Sequence, residues 1–225
     1  MKNINTSFEK INMDFSKRVA ISTVQKDWVE SPSKKVLRIR LEREKAESGH
    51  ATSIVKYQPG ATFEAHSHPM GEEIYVIDGI FSDENGDYPA GSYIRNPPGT
   101  SHSPFSKTGC TILVKLDQFK AEDSKSINLN THKLDWSPGH GGLKVMPLHN
   151  FRTEGTALVK WPAGEIFLPH THFGGEEIFV ISGSFKDEHG AYPQGSWLRS
   201  PHLSQHKPWV DEETVIFVKT GHLMF

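Results

Sequence analysis

A chain of 225 residues with 25 Lys and Arg against 27 Asp and Glu carries a net charge of -2, which leaves no electrostatic case for a nucleic-acid or anionic-membrane partner. A hydrophobic content of 36% supports a packed core, while the longest clean apolar runs, such as "TILV" at 111–114, are far too short to cross a bilayer. A single cysteine, Cys110, excludes an intrachain disulfide and a thiolate metal cluster, so a soluble protein of a reducing, cytoplasmic compartment is expected.

Residues 1–17 read as an extension without the apolar core of a signal peptide. From residue 18 the chain reads as short strands separated by Gly and Pro: "RVAIST" at 18–23, "ATSIVKY" at 51–57, "EEIYVIDG" at 72–79, "GSYIR" at 91–95 and "TILVKL" at 111–116. These runs are rich in β-branched and aromatic residues, which suit a pleated, half-buried surface. "ENGD" at 84–87 carries the Asn-Gly hairpin signal, and "NPPGT" at 96–100 is a turn by its prolines and glycine. The polar stretch at 118–125 reads as a linker, after which "INLNT" at 127–131 opens a second series of strands. "RVAIST" and "INLNT" are candidates to pair across the two halves or across a homodimer, and the sequence leaves both open. No stretch has sustained helical periodicity with caps.

The second series is a copy of the first. "HSHPMGEEIYVIDG" at 66–79 returns as "HTHFGGEEIFVISG" at 170–183, and "FSDENGDYPAGSYIR" at 81–95 returns as "FKDEHGAYPQGSWLR" at 185–199. About half of the positions from 60 to 105 are identical without a gap, and "KDW" at 26–28 aligns with "LDW" at 134–136 if the second copy drops four residues. The expected organisation is therefore a duplicated all-β domain, 18–117 and 126–225, each half an antiparallel sandwich or barrel.

Thirteen histidines are the compositional outlier. On a strand, residues i and i+2 face the same way, so His66 and His68 project together, as do His170 and His172. The following turn brings Glu72 or Glu176 onto the next strand, and His102 and His206 follow at matching distances. A lone His-x-His is most often a solvated strand end. Here the same four residue types recur at the same spacing in two diverged copies, which drift would not be expected to preserve. Three imidazole nitrogens and a carboxylate suit zinc, iron, manganese, nickel or copper, with up to two ions per chain. Phe63, Tyr75, Tyr93, Phe167, Phe179 and Trp197 are candidates to line a pocket, although ordinary core is the better reading for most. Arg95 and Arg199 recur and read better as ion-pair partners of Asp83 and Asp187 than as substrate anchors. Glu73 and Glu177 should point away from the site. His202 adds a polar group to the second half only.

Gly60-x5-His66-x-His68-x3-Glu72-x6-Gly79 resembles the first motif of the cupins, and Gly91-x5-Pro97-x-Gly99-x2-His102 resembles the second. The copy departs at Leu203, which replaces the motif's glycine and puts the loop before His206 in question, because leucine rarely adopts a positive φ. More narrowly, "GEEIYVIDGIFSDENGDYPAGSYIRNPPGTSHSPF" is similar to the cupin domain of ChrR-type anti-sigma factors. That resemblance implies an all-β fold of two tandem jelly-roll barrels, each with its metal inside, and a regulatory or sensory role with a small-molecule ligand. The anti-sigma members add an N-terminal zinc domain with a His-x3-Cys-x2-Cys signature, which this sequence does not contain, so a sigma-factor partner is not expected. Cupins with a similar ligand set include dioxygenases acting on a small diketone or aromatic, the alternative expectation.

Overall fold

A computed structural model describes residues 8–223, so the first part of the 1–17 extension lies outside the described residues. The described residues are strands and turns, with 3-10 turns at Thr23–Gln25 and Thr131–Lys133. No helix is long and apolar enough to cross a membrane. The expected strands at 51–57, 72–79, 91–95 and 111–116 appear as Ala51–Tyr57, Glu72–Asp83, Ser92–Asn96 and Cys110–Leu116.

Two units form, and each has its own core. In the first, the main sheet runs in the order Ile127–Asn130, Ser92–Asn96, Glu72–Asp83, Cys110–Leu116, Ala51–Tyr57, Val36–Arg43 and Val29–Glu30. The second repeats that order with Val19–Ser22, Ser196–Ser200, Glu176–Ser182, Thr214–Thr220, Glu154–Trp161, Lys144–Phe151 and Ser137–Pro138. Shorter ladders close the opposite side of each barrel, among them His66–His68 on Thr100–His102 and His170–Thr171 on Gln205–His206. Inward-facing Ile74, Val76, Phe81, Ile112 and Val114 fill the first core, and Ile178, Val180, Phe185 and Ile216 fill the second. Burying each such side chain stabilises the fold by roughly 1.5–3 kcal/mol.

The unit boundaries differ from the expected 18–117 and 126–225. Of the described residues, the first unit comprises 8–13 with Trp28–Asn128, and the second Asp14–Asp27 with 129–223. The strand Val19–Ser22 opens the expected first half but pairs in register with Ser196–Ser200 of the second, Val19 opposite Arg199. The stretch read as a linker at 118–125 is likewise part of the first unit. Its Asp123 is buried and accepts from Arg95 Nη2, while Phe119 stacks under the same guanidinium at 3.9 Å. A buried arginine needs a carboxylate, and the "linker" supplies it.

The longest strand that went unrecognised in each half is Val36–Arg43 and its counterpart Lys144–Phe151. "VLRIRLER" interleaves arginines with aliphatic residues and looks solvated, yet Arg38 and Arg43 are 7% and 4% exposed. A bulge between Arg40 and Glu42 shifts the register, which puts Arg43 on the same face as Arg38.

Candidate metal centres

The long strand Glu72–Asp83 organises the first site. Glu72, Ile74 and Val76 face the barrel interior, and Gly79 then turns the strand from the main sheet to the opposite side. Its φ of +75° and the 2.2 Å at which a Cβ would meet Gly109 O both require glycine. The bend lets one strand supply two groups to the same imidazole: Glu72 Oε2 lies 3.3 Å from His102 Nε2, and Asp83 Oδ2 lies 3.1 Å from His102 Nδ1. His66 and His68 come from the short strand beside it, in register with His102 and Thr100.

All four predicted residues of each half converge. In His66, His68, Glu72 and His102, and again in His170, His172, Glu176 and His206, one ligand atom per residue lies within 4.8 Å of the others. The nearest separations are 3.3 and 3.4 Å from Glu72 to His102 and His68, 3.5 and 3.6 Å from Glu176 to His172 and His206, and 3.1 Å between His170 and His172 Nε2. Donors ~2.1 Å from one ion stand ~3.0 Å apart at octahedral and ~3.4 Å apart at tetrahedral angles, so these spacings fit a shared divalent ion.

The hydrogen bonds behind the histidines say which nitrogen is bare. His66 Nδ1 donates to Glu64 O at 2.9 Å, and His170 Nδ1 to Leu168 O at 3.0 Å. Thr100 Oγ1 spends its own proton on Pro97 O, so it accepts from His68 Nδ1 at 3.1 Å; Ser204 does the same between Pro201 O and His172. Asp83 and Asp187 accept hydrogen bonds from Nδ1 of His102 and His206, at 3.1 and 3.5 Å. Every Nε2 therefore points a lone pair inward. His68, His102 and His206 Nε2, with Glu176 Oε2, are buried without a hydrogen-bond partner. In each site two buried acceptors thus face the cluster with no donor to pair them, which is costly unless a cation joins them.

The electrostatics agree. Burial depresses His68 and His170, and burial with neighbouring His206 and His170 takes His172 down to about 3. Burial raises Glu176 to about 7. A metal removes the penalty on the ionised carboxylate and is best served by neutral imidazoles. Although burial opposes it, hydrogen bonds from His206, Tyr192 and the His189 N–H, with Arg18 beside them, hold Asp187 below the ordinary carboxylate range.

The loop before His206 keeps its shape despite Leu203, which adopts φ +62° where Gly99 has +84°. Leu203 N donates to His172 O at 2.9 Å, as Gly99 N does to His68 O. His202 caps the adjoining turn instead of joining the ligands, accepting from Gly174 N at 2.8 Å.

The recurrent arginines need correction. Arg95 pairs with Asp123 and lies 3.4 Å from Glu73, and Arg199 donates to Asp14 O at 3.0 Å and stacks on Phe15. Asp83 and Asp187 serve the histidines, and Arg18 is the cation on Asp187, at 2.9 Å. Glu73 and Glu177 face away from the ligands, as expected, and bond Tyr93 and Trp197. Those two aromatics, with Tyr75 and Phe179, are therefore core, whereas Phe63 and Phe167 meet His66 and His170 in edge-on ring contacts. Sequence reasoning missed Asp83, Asp187, Thr100 and Ser204 as supports, although the identity of Asp83 and Asp187 between the repeats was a usable signal.

The model of the ChrR cupin-like domain matches residues 16–120 and again 124–224. The chain belongs to the ChrR cupin-like family. Solved cupin structures share the tandem architecture. The "putative dioxygenase" of Nostoc punctiforme superposes with a TM-score of 0.76 at 16% identity, over 92% of this chain and 84% of its own. Protein Ylba of E. coli gives 0.71 at 13% identity, over 96% and 94%. The oxalate decarboxylase of Lactobacillus farciminis gives 0.65 at 15% identity, over 92% and 86%. These identities carry the fold alone. No curated protein matches the sequence.

Proposed function

We propose that this cupin binds one divalent metal ion in each barrel, through His66, His68, Glu72 and His102 in the first and His170, His172, Glu176 and His206 in the second. We further propose that the first ion meets a small-molecule ligand, as a sensory or regulatory module would require. The observation that carries this reading is a cavity of about 310 Å³ lined by His66, His68 and Glu72 together with apolar Val55, Phe63, Ile112 and Val114. Its size is at the lower end of small-molecule sites. The bound ion would supply Lewis acidity and a coordination position for the ligand. The chain's own residues hold the imidazoles as neutral Nε2 donors, orient them through Thr100 and Asp83, and exclude water with the apolar wall.

That apolar wall also favours a second reading, a non-haem dioxygenase acting on a small diketone or aromatic. Elemental analysis of protein purified without chelators, followed by oxygen uptake with the metal found, tests both. Zinc without oxygen uptake supports the sensory module; iron or manganese with uptake supports the oxygenase. Protein free of metal refutes the common core of the two.

A further inference from the structure

The cavity of the first unit has a cationic side that the duplicated fold does not need. Arg38 and Arg43 line it beside the histidines, on the strand whose bulge turns both to one face. Their side chains are 9% and 5% exposed. One carboxylate, Glu47, spans both: it accepts from Arg38 at 2.6 and 2.8 Å and lies 3.6 Å from Arg43. Glu47 is itself 48% exposed and sits on the connection 44–50, which Arg43 Nε tethers through Lys45 O and Ala46 O at 2.9 and 2.8 Å. Arg38 Nε is buried without a partner. On this side of the cavity two buried guanidiniums face one half-exposed carboxylate, while the other lining carboxylates are engaged elsewhere, Glu72 among the ligands and Asp117 on Met70 N. Burial and the neighbouring Arg38 accordingly lower Arg43 to about 10.

None of this recurs in the second unit. Arg38 stands opposite Val55 and Arg43 opposite Ala51; at the matching places Val145 stands opposite Val159 and Asn150 opposite Gly155. The connection corresponding to 44–50 shortens to 151–154, so part of the length lost by the second copy falls here.

We infer that the first cavity takes a small organic acid, its carboxylate on Arg38 and Arg43 in place of Glu47, its apolar middle against Val55, Ile112 and Val114, and a second donor at the metal. Glu47 then acts as a resident stand-in for the ligand's carboxylate. Arginine presents paired donors that match a carboxylate, and a loop glutamate bound to it from solvent is a displaceable one. This inference rests on the metal reading of the first site.

The test is calorimetric titration of metal-loaded protein with glutarate and with adipate, using the corresponding diamides as neutral controls and measuring metal content in parallel. At least one diacid is expected to bind once per chain, and the diamides not at all. Glu47→Gln removes the internal competitor and should tighten binding several-fold. Arg38→Met should weaken it by roughly tenfold or more. If the arginines only hold the connection 44–50 in place, Glu47→Gln leaves binding unchanged or weakens it, which overturns the inference even if Arg38→Met fails to fold. Metal-replete protein that binds neither diacid overturns the inference alone. Protein that takes up neither metal nor diacid overturns the metal reading with it.

Discussion

Each candidate ligand depends on the group behind it. Thr100 and Ser204 accept from His68 and His172 at 3.1 and 3.0 Å and so keep each Nε2 bare. Thr100→Val should weaken metal binding at the first site about 10–100-fold in a chelator competition and leave the second unchanged; Ser204→Ala should do the reverse. Protonation works on the same atoms. The lowered His68, His170 and His172 take up protons more readily unfolded than folded, so their contribution to the metal-free fold is present above 6.5 and declines as pH falls below it, for His172 down to about 3. Glu176, raised from 4.5 to about 7, has the opposite sign: its contribution is present below 4.5 and is lost as pH rises through about 7. Metal needs the histidines neutral and the glutamate ionised, so the increase in Tm on adding metal should be greatest above pH 7. Because the fold holds these imidazoles neutral, metal content should fall only as pH drops well below the ordinary histidine value of ~6.5. Content that holds constant below pH 3 in folded protein would argue against histidine ligands.

Among the connecting elements, the turn before His206 is the informative one. Leu203 is 54% exposed and holds φ +62°, a conformation that costs a residue with a Cβ roughly 1–2 kcal/mol. Leu203→Gly should therefore raise stability by up to about 1 kcal/mol in denaturant unfolding, after the entropy of the added glycine in the unfolded chain. A loss of stability would mean that the leucine contributes packing which its exposure does not reveal. The sequence made legible the strands rich in β-branched and aromatic residues, such as Ala51–Tyr57, and the ligand sets, because duplication printed the same four residues twice. It hid Val36–Arg43, whose arginines are buried by tertiary partners rather than by local pattern. It also hid the partners of Arg95 and Arg199, since Asp123 and Asp14 lie in segments that read as linker and extension.

Taken as a whole, the chain is a duplication whose leading segments have changed places: Asp14–Asp27 belongs to the second unit, and residues up to Asn128 complete the first. Arg18 follows from that exchange. It bonds Asp187 at 2.9 Å and Tyr192 at 2.6 Å, and Asp187 carries His206. Arg18→Met should thus weaken metal binding at the second site and spare the first, although residue 18 stands at the start of the first repeat. The central claim is that each unit holds its own ion. The most direct measurement is metal stoichiometry in folded double variants. The intact chain should bind two ions, and His68→Ala with His102→Ala should leave one, held by His170, His172, Glu176 and His206. His172→Ala with His206→Ala should leave the other. If either double variant stays folded by circular dichroism yet loses all its metal, the sites are shared and the account of two independent centres is wrong.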